Sequence, residues 1–434
     1  MININLKHSL TLGSILALSS PASVFATNGM FLIAPGTKSR GMGGVSIAMT
    51  HDTLSSAINP ATMAHTGNRF DMGGDIFAPT AKASLGTEGV DRITVESKPD
   101  HVTIADGVYI MPNLGASWND GDISYGFTMV GVGGGGSRYE PNLYNNITGG
   151  DPDLKLGVSL LVMQINPTIA MKLDENNSVG ATLIIGMQVF KSYGLDEFVA
   201  FTPSQTPDYL SNQGADIAYG AGIRLGWLGE FMNDDLTLGA AYSSQTYMTK
   251  FDKYKELFAE QGQFNTPGNI GIGMAYKVKD DLTIAVDINY IMYEDVAAVS
   301  NLGPNVTGNV FQVDKATNGL GEDDGLGFGW TNQTVYKLGA MYDYNDTWTL
   351  RGGWNYGKSP INEQREIIFN IAAPATVQHH LTMGATYKYN TDIELSFSYV
   401  HAFEFKQNGP TYIGSTGEIG MSQDSVGATF SMNF

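Results

Sequence analysis

Residues 282–293 read LTIAVDINYIMY, and the order of these side chains decides the fold. Successive side chains of an extended chain point to opposite faces. That puts Leu282, Ile284, Val286, Ile288 and Tyr290 on one face and Thr283, Ala285, Asp287 and Asn289 on the other. One face is apolar without interruption. The same grammar governs Ile393, Leu395, Phe397 and Tyr399 against Glu394, Ser396 and Ser398, and Trp348, Leu350 and Trp354 against Thr349, Arg351 and Asn355.

Working outward from this stretch, alternation predicts strands near 68–80, 112–119, 122–134, 157–173, 178–191, 215–230, 236–248, 266–278, 282–294, 329–343, 347–357, 379–389, 393–406 and 422–434. Six connections are tight and rich in Asn and Asp, at 119–122, 174–177, 233–235, 279–281, 344–346 and 390–392, and they alternate with seven long ones. Short turns on one rim and long loops on the other are the asymmetry of a transmembrane barrel. Strands of about 10–15 residues exceed the usual 5–6 of soluble sheets, as a tilted bilayer crossing requires. The last strand alternates Val426, Ala428, Phe430 and Met432 and ends on Phe434. Trp118, Trp227, Tyr342, Trp348 and Tyr389 fall beside short turns, where an interfacial aromatic belt sits. The expected fold class is all-β: a transmembrane antiparallel β-barrel of about fourteen strands, spanning 67–434, in the outer membrane of a Gram-negative bacterium.

Composition agrees with this reading. The 434 residues include 53 Gly and 21 Tyr, and only 15% are charged. The 24 basic and 43 acidic residues give a net charge of -19, which argues against nucleic acid, whose phosphates demand a basic face. Lys7, the apolar run 10–18 and Val24-Phe25-Ala26 read as a secretory leader over 1–26, with the mature chain beginning near Thr27. Loss of its one lysine takes the formal charge from -19 to -20. No later run approaches the roughly 20 apolar residues of a membrane helix. Cysteine is absent, so neither disulfides nor thiolate-bound metal holds the chain together.

Between leader and first strand lies 39–63, SRGMGGVSIAMTHDTLSSAINPATM. Gly41, Gly43 and Gly44 permit tight turns or close approach to another surface, and Asn59-Pro60 fixes a turn. Residues this small and weakly apolar cannot form a core alone, so 27–66 is expected to pack inside the barrel as a plug. A leader, a glycine-rich segment carrying Arg40-Gly-Met-Gly-Gly-Val45, Asp52, Ser56 and Asn59-Pro60-Ala61, about fourteen strands and a terminal Phe together resemble the FadL family of outer-membrane transporters. The resemblance covers essentially the whole mature chain. It implies passive uptake of long-chain fatty acids or, in some branches, aromatic hydrocarbons. It also implies that 27–66 is a hatch with an Asn-Pro-Ala motif, and that a kink in the third strand opens a side hole into the bilayer.

The residues of that strand point the same way. In 127–136, FTMVGVGGGG, Gly131, Gly133, Gly134, Gly135 and Gly136 stand where side chains are expected, and glycine inside a strand marks a bulge, a bend or a close approach. The alternative is a flexible entry into the following loop. The gate is expected where the hatch meets this strand, with the Asn59 amide as the candidate contact. Residues restoring a regular strand at Gly133 and Gly134 are expected to block transport while the barrel still folds.

A hydrophobic ligand must first be collected from water. Residues 250–261 read as a short amphipathic helix with Phe251, Tyr254, Leu257 and Phe258 on one stripe. The facing loop supplies Leu195, Phe198, Val199, Phe201, Tyr209 and Leu210. Exposed apolar clusters mark interaction sites, and the resemblance implies a low-affinity groove between the third and fourth outer loops, where these fall. The alternative is that the two loops cap each other. Inside the barrel, parity turns Arg224, Lys337 and Arg351 inward with Asp75, Asp216, Asp287 and Glu394. Most of these read as ion pairs bracing the wall. Arg224 and Arg351 are the candidates for a ligand carboxylate, which needs a cation when buried.

Catalysis finds little support. His51-Asp52 with Ser55 and Ser56 reads as local capping. His379 and His380 point oppositely on a strand and cannot share a metal, and the acidic run 322–324 lacks EF-hand spacing. No catalytic residue, metal or cofactor is expected, and the partners are a hydrophobic ligand and outer-membrane lipid, with the chain a monomer. The reading is therefore a passive transporter of long-chain fatty acids or related hydrophobic compounds, with uptake of aromatic hydrocarbons as the alternative. Rivals of other classes are an outer-membrane barrel enzyme, lipase or protease, and a porin for polar solutes.

Overall fold

A computed structural model describes residues 28–97, 109–148, 154–303, 305–307, 310–312, 319–361, 366–411 and 415–434. The leader read over 1–26 lies outside them. The barrel strands are β1 (Arg69–Gly86), β2 (Tyr109–Asp120), β3 (Ile123–Gly136), β4 (Gly157–Lys172), β5 (Asn177–Tyr193), β6 (Asp216–Phe231) and β7 (Leu236–Ser243). They continue as β8 (Asn269–Lys279), β9 (Leu282–Ile291), β10 (Gln333–Asp343), β11 (Trp348–Gly357), β12 (His379–Lys388), β13 (Ile393–Pro410) and β14 (Thr416–Asn433). Each pairs antiparallel with the next, and β14 returns to β1 from Arg69↔Asn433 to Gly86↔Thr416, which closes the sheet. Closure removes the free edges that hydrocarbon could not satisfy. Two short strands, Ile93–Glu96 and Tyr247–Met248, add to β1 and β6 above the wall.

The alternation is visible in burial. On β9, Ile284, Ile288 and Tyr290 are exposed while Ala285 and Asp287 are buried, and on β8 Ile270, Ile272 and Met274 likewise face outward. Such a display would be costly in water, at roughly 25 cal/mol per Å². Against acyl chains it is the favoured surface. Trp118, Tyr342, Trp348 and Tyr389 are exposed at the short-turn rim.

The outer loops depart from the sequence reading. Residues 250–261 form no continuous helix: one 3₁₀ turn at Asp252–Tyr254 is followed by a turn at Ala259–Gly262 in which Glu260 and Gln261 both have φ of 56°. The cause is tertiary. Phe251, Tyr254 and Phe258 all converge on Phe190, with ring centroids 5.6, 4.8 and 4.7 Å from it. Consequently Phe198, Phe251, Tyr254, Leu257 and Phe258 are buried and Phe201 is half-buried. They belong to one apolar core with Tyr139, Trp330 and Phe369, not to an open surface.

Candidate functional site

Residues 28–66 lie within the barrel and touch its wall on all sides. The Gly43 N–H donates to Thr382 Oγ1 at 2.7 Å, and the Ser46 and Ile47 N–H groups donate to Asp287 Oδ2 at 2.8 and 3.0 Å. Thr53 donates twice to Asp71 Oδ2, at 3.0 Å from N–H and 2.6 Å from Oγ1. Lys337 Nζ reaches from β10 to the carbonyls of Ile33 and Gly44 at 2.9 and 3.0 Å.

Glycine makes this fit possible from both sides. A Cβ on Gly41 would lie 2.8 Å from the Gly384 Cα, and one on Gly43 would lie 2.6 Å from the Leu338 carbonyl. Gly43 and Gly44 also take φ of 71° and 82°, where a side chain is strained. The wall answers with inward Gly339 and Gly353 beside Met42 and Gly43, Gly239 beside Ile47, and Gly226 and Gly180 beside Asn59 and Pro60. Sequence reasoning missed these wall glycines; the available signal was glycine at inward parity on successive strands.

Asn59 does not meet the third strand. Its amide donates to the Ile47 carbonyl at 2.7 Å and to the Trp227 carbonyl of β6 at 2.9 Å, while Oδ1 accepts the Ala61 N–H at 3.1 Å. Pro60 follows at the first position of the 3₁₀ turn Pro60–His65, where its missing N–H is no loss. The Asn-Pro-Ala turn is therefore an anchor to β6.

The partner of β3 is Met30–Leu32. Pairing of β3 with β2 ends at Asn113↔Val130, whereas its ladder with β4 continues to Gly136↔Ser159 with a bulge between Gly131 and Gly133. The groups that β2 leaves unpaired are taken from inside. Leu32 N–H donates to the Val132 carbonyl at 3.0 Å, Gly134 N–H donates to the Met30 carbonyl at 2.9 Å, and Phe31 bridges to Gly133. A Cβ on Gly133 would collide with the Met30 carbonyl. Substitution at Gly133 is therefore expected to displace 30–32 as well as to alter β3.

Three cavities bear on this contact: residues 31–32 line the first and Met30 the second, and the third shares Val158 and Phe328 with the second. The inner one, of about 80 Å³, lies between 31–35 and the wall; Leu32, Ile47, Ile58 and Val132 give it an apolar side, Asn28, Gln164, Ser243 and Asn289 a polar one, and Arg224 and Lys337 enter it. A second, of about 40 Å³, begins at Met30 and is bounded by Phe190, Phe258 and Trp330. The third, of about 20 Å³, lies among Phe198, Leu257 and Phe369 in the loops.

Arg224 brings a spare donor to the inner cavity. Its Nε donates to Ser243 Oγ at 2.6 Å and Nη2 to Gln164 Oε1 at 3.4 Å, but buried Nη1 has no partner. Among the described residues no carboxylate pairs with it. Arg351 also keeps a buried donor, Nε, without a partner, but it does not line the inner cavity, and its Nη1 donates to Thr386 Oγ1 at 2.7 Å. It stands toward the short-turn rim, where Lys38 and Arg69 both pair with Glu394 and Arg40 pairs with Asp75 at 2.6 Å. This network supplies the wall-bracing role that Arg224 lacks.

Asp52 sits within that network, its carboxylate capping the next turn by accepting the Leu54 N–H at 3.0 Å. Burial, and then the charge of Asp71, push it from 3.8 up to about 6. Its proton is held more tightly in the fold than in the unfolded chain. Stability therefore falls as pH rises from 3.8 to 6 and stays lowered above. Asn caps as well as Asp, so Asp52→Asn should protect 28–66 from proteolysis at pH 7.5 and change little at pH 4. Burial also pushes neighbouring His51 down to about 3, but that contribution is common to both proteins. Equal protection at the two pH values would refute the assignment.

The family described as outer membrane protein transport protein (OMPP1/FadL/TodX) matches residues 14–434. The long-chain fatty acid transport proteins of Escherichia coli K12 and Salmonella typhi are 34% identical over 84 residues, which is 19% of this chain and 18% and 19% of theirs. The chain thus aligns with under a fifth of the length of these relatives. Among solved structures, the Pseudomonas putida toluene transporter TodX superposes with a TM-score of 0.67 at 18% identity, covering 93% of this chain and 99% of that one. The Ralstonia pickettii toluene transporter TbuX gives 0.64 at 18% identity over 93% and 99%. A Pseudomonas aeruginosa FadL homologue gives 0.63 at 14% over 96% and 100%. The shared architecture and the match along nearly its whole length make the chain a member of the FadL/TodX family of outer-membrane transport proteins.

Proposed function

We propose that the protein takes up long-chain fatty acids by energy-independent diffusion across the outer membrane, acting as a monomer without a cofactor. The observation that carries this reading is Arg224: a buried cation with an unused donor, facing a cavity of mixed apolar and neutral polar lining, and without an acid beside it among the described residues. An isolated buried charge is costly. A ligand that brings its own carboxylate and an acyl chain supplies what the site lacks.

The path follows the cavities. Ligand enters among the outer-loop aromatics, passes Met30 and settles with its head at Arg224. It leaves sideways where β2 and β3 part, once 30–32 withdraws from Val132 and Gly134. Residues 28–66 serve as the hatch. Lys337 couples the two events, since it lines the same cavity and holds two hatch carbonyls. A carboxylate is a better partner for an ammonium group than neutral carbonyls are. Lys337→Met should therefore loosen 33–44, seen as faster protease cleavage there while the barrel stays folded; cleavage at the wild-type rate would remove Lys337 from the mechanism.

The second reading, uptake of aromatic hydrocarbons, is favoured by the almost wholly apolar middle cavity and by the toluene transporters among the similar structures. An enzymatic role is not proposed. His51 Nε2 bonds the Val45 carbonyl at 2.9 Å, and Ser55 Oγ accepts from the His51 N–H at 3.0 Å, so these groups are consumed in the hatch fold. Uptake of labelled oleate and of labelled toluene by a strain lacking its own transporter tests the reading: oleate transport supports it, toluene alone shifts it to the second, and neither sinks both.

A further inference from the structure

We propose that Phe328 is the size filter on this path, a ring that swings to join the two apolar cavities of the outer loops; the inference rests on the uptake reading above. The middle and outer cavities share two lining side chains, Val158 and Phe328. Val158 is fixed in β4 opposite Ser192 and is β-branched, so it cannot turn aside. Phe328 is on a loop, in GLGFGW over 325–330, and is half-buried.

Its backbone does not move with the ring. The Phe328 carbonyl accepts from Asn370 Nδ2 at 2.8 Å, and Gly329 N–H donates to the Asn301 carbonyl at 2.8 Å. Glycine on both sides leaves no neighbouring Cβ for the ring to strike. Gly329 has φ of 65°, which a side chain would disfavour.

The rings around it are locked in pairs. Phe198 stacks on Phe369 with centroids 4.9 Å apart, and Phe258 meets Phe190 at 4.7 Å and Phe264 at 4.9 Å. Among the described residues Phe328 joins no ring pair. Movement about its side-chain torsions is thus the least costly way to connect the cavities. Unbranched acyl chains and single-ring hydrocarbons fit past a turned ring. Ligands of greater cross-section, such as fused rings, do not.

Trp330 lines the middle cavity and reports arrival there. The full-length chain with Trp118, Trp227, Trp348 and Trp354 replaced by Phe, in detergent micelles, would be mixed rapidly with dibromostearate, and quenching of Trp330 followed. Phe328→Ala should speed quenching by about tenfold, the effect of lowering a barrier by 1.36 kcal/mol. Phe328→Leu, which keeps most of the packing, should fall between the wild type and Phe328→Ala. Brominated pyrene should quench only the alanine variant. Equal arrival rates in all three proteins would overturn the filter while leaving uptake standing. No quenching in the wild type, together with no oleate or toluene uptake in cells, would overturn the transport reading and the filter with it.

Discussion

Arg224→Met should lower oleate affinity by about 10- to 150-fold and leave toluene binding unchanged. The magnitude follows from the roughly 1.5–3 kcal/mol of a hydrogen bond to a charged group, at 1.4 kcal/mol per factor of ten. The barrel should not suffer. Arg224 pairs with no carboxylate among the described residues, and its neutral partners Ser243 and Gln164 can bond to water or to each other. Methionine fills the volume with adaptable apolar atoms, and removal of a lone buried cation is stability-neutral or better. Titration of purified protein with both ligands checks the pair of outcomes. Equal loss for oleate and toluene would mean that Arg224 only shapes the cavity. Unchanged oleate affinity would place the head group elsewhere and favour the hydrocarbon reading.

Much of this was legible from side-chain order, and the remainder fails for particular reasons. Alternation places Asp287, Lys337 and Arg224 inward because parity is local and a slip of one residue would turn every side chain over. Parity says nothing about height along the strand. Arg224 and Arg351 therefore look alike in sequence, although one faces the cavity and the other stands in the network of the short-turn rim. The loop aromatics show a second limit. Phe251, Tyr254 and Phe258 form an apolar stripe whether they await a ligand or cover Phe190, and only the fold of the facing chain distinguishes the two. Met30-Phe31-Leu32 was invisible for a third reason: three consecutive apolar residues carry no period. Their partner gave the clearer sign, since the glycines of β3 marked a close approach without naming what approaches.

That partner can be tested by a staple. Leu32 and Val132 lie opposite each other in the short antiparallel contact of 30–32 with β3, and both line the inner cavity. Opposed residues of such a pair have Cα atoms about 5.5 Å apart when hydrogen-bonded, within the roughly 4.4–6.8 Å that a disulfide spans. The chain has no cysteine of its own, so Leu32→Cys with Val132→Cys forms one defined bond and avoids the crowded Gly133. Oxidised, this protein should transport neither oleate nor toluene, with uptake falling to the level of cells without the transporter. Reduction should restore it, and each single variant should transport throughout. Binding of oleate to the oxidised protein should weaken far less than transport does, because the staple holds the exit shut without removing Arg224. Transport undiminished by the closed staple would show that ligand leaves by another route, and that the glycine-rich bend of β3 serves only to seat the hatch.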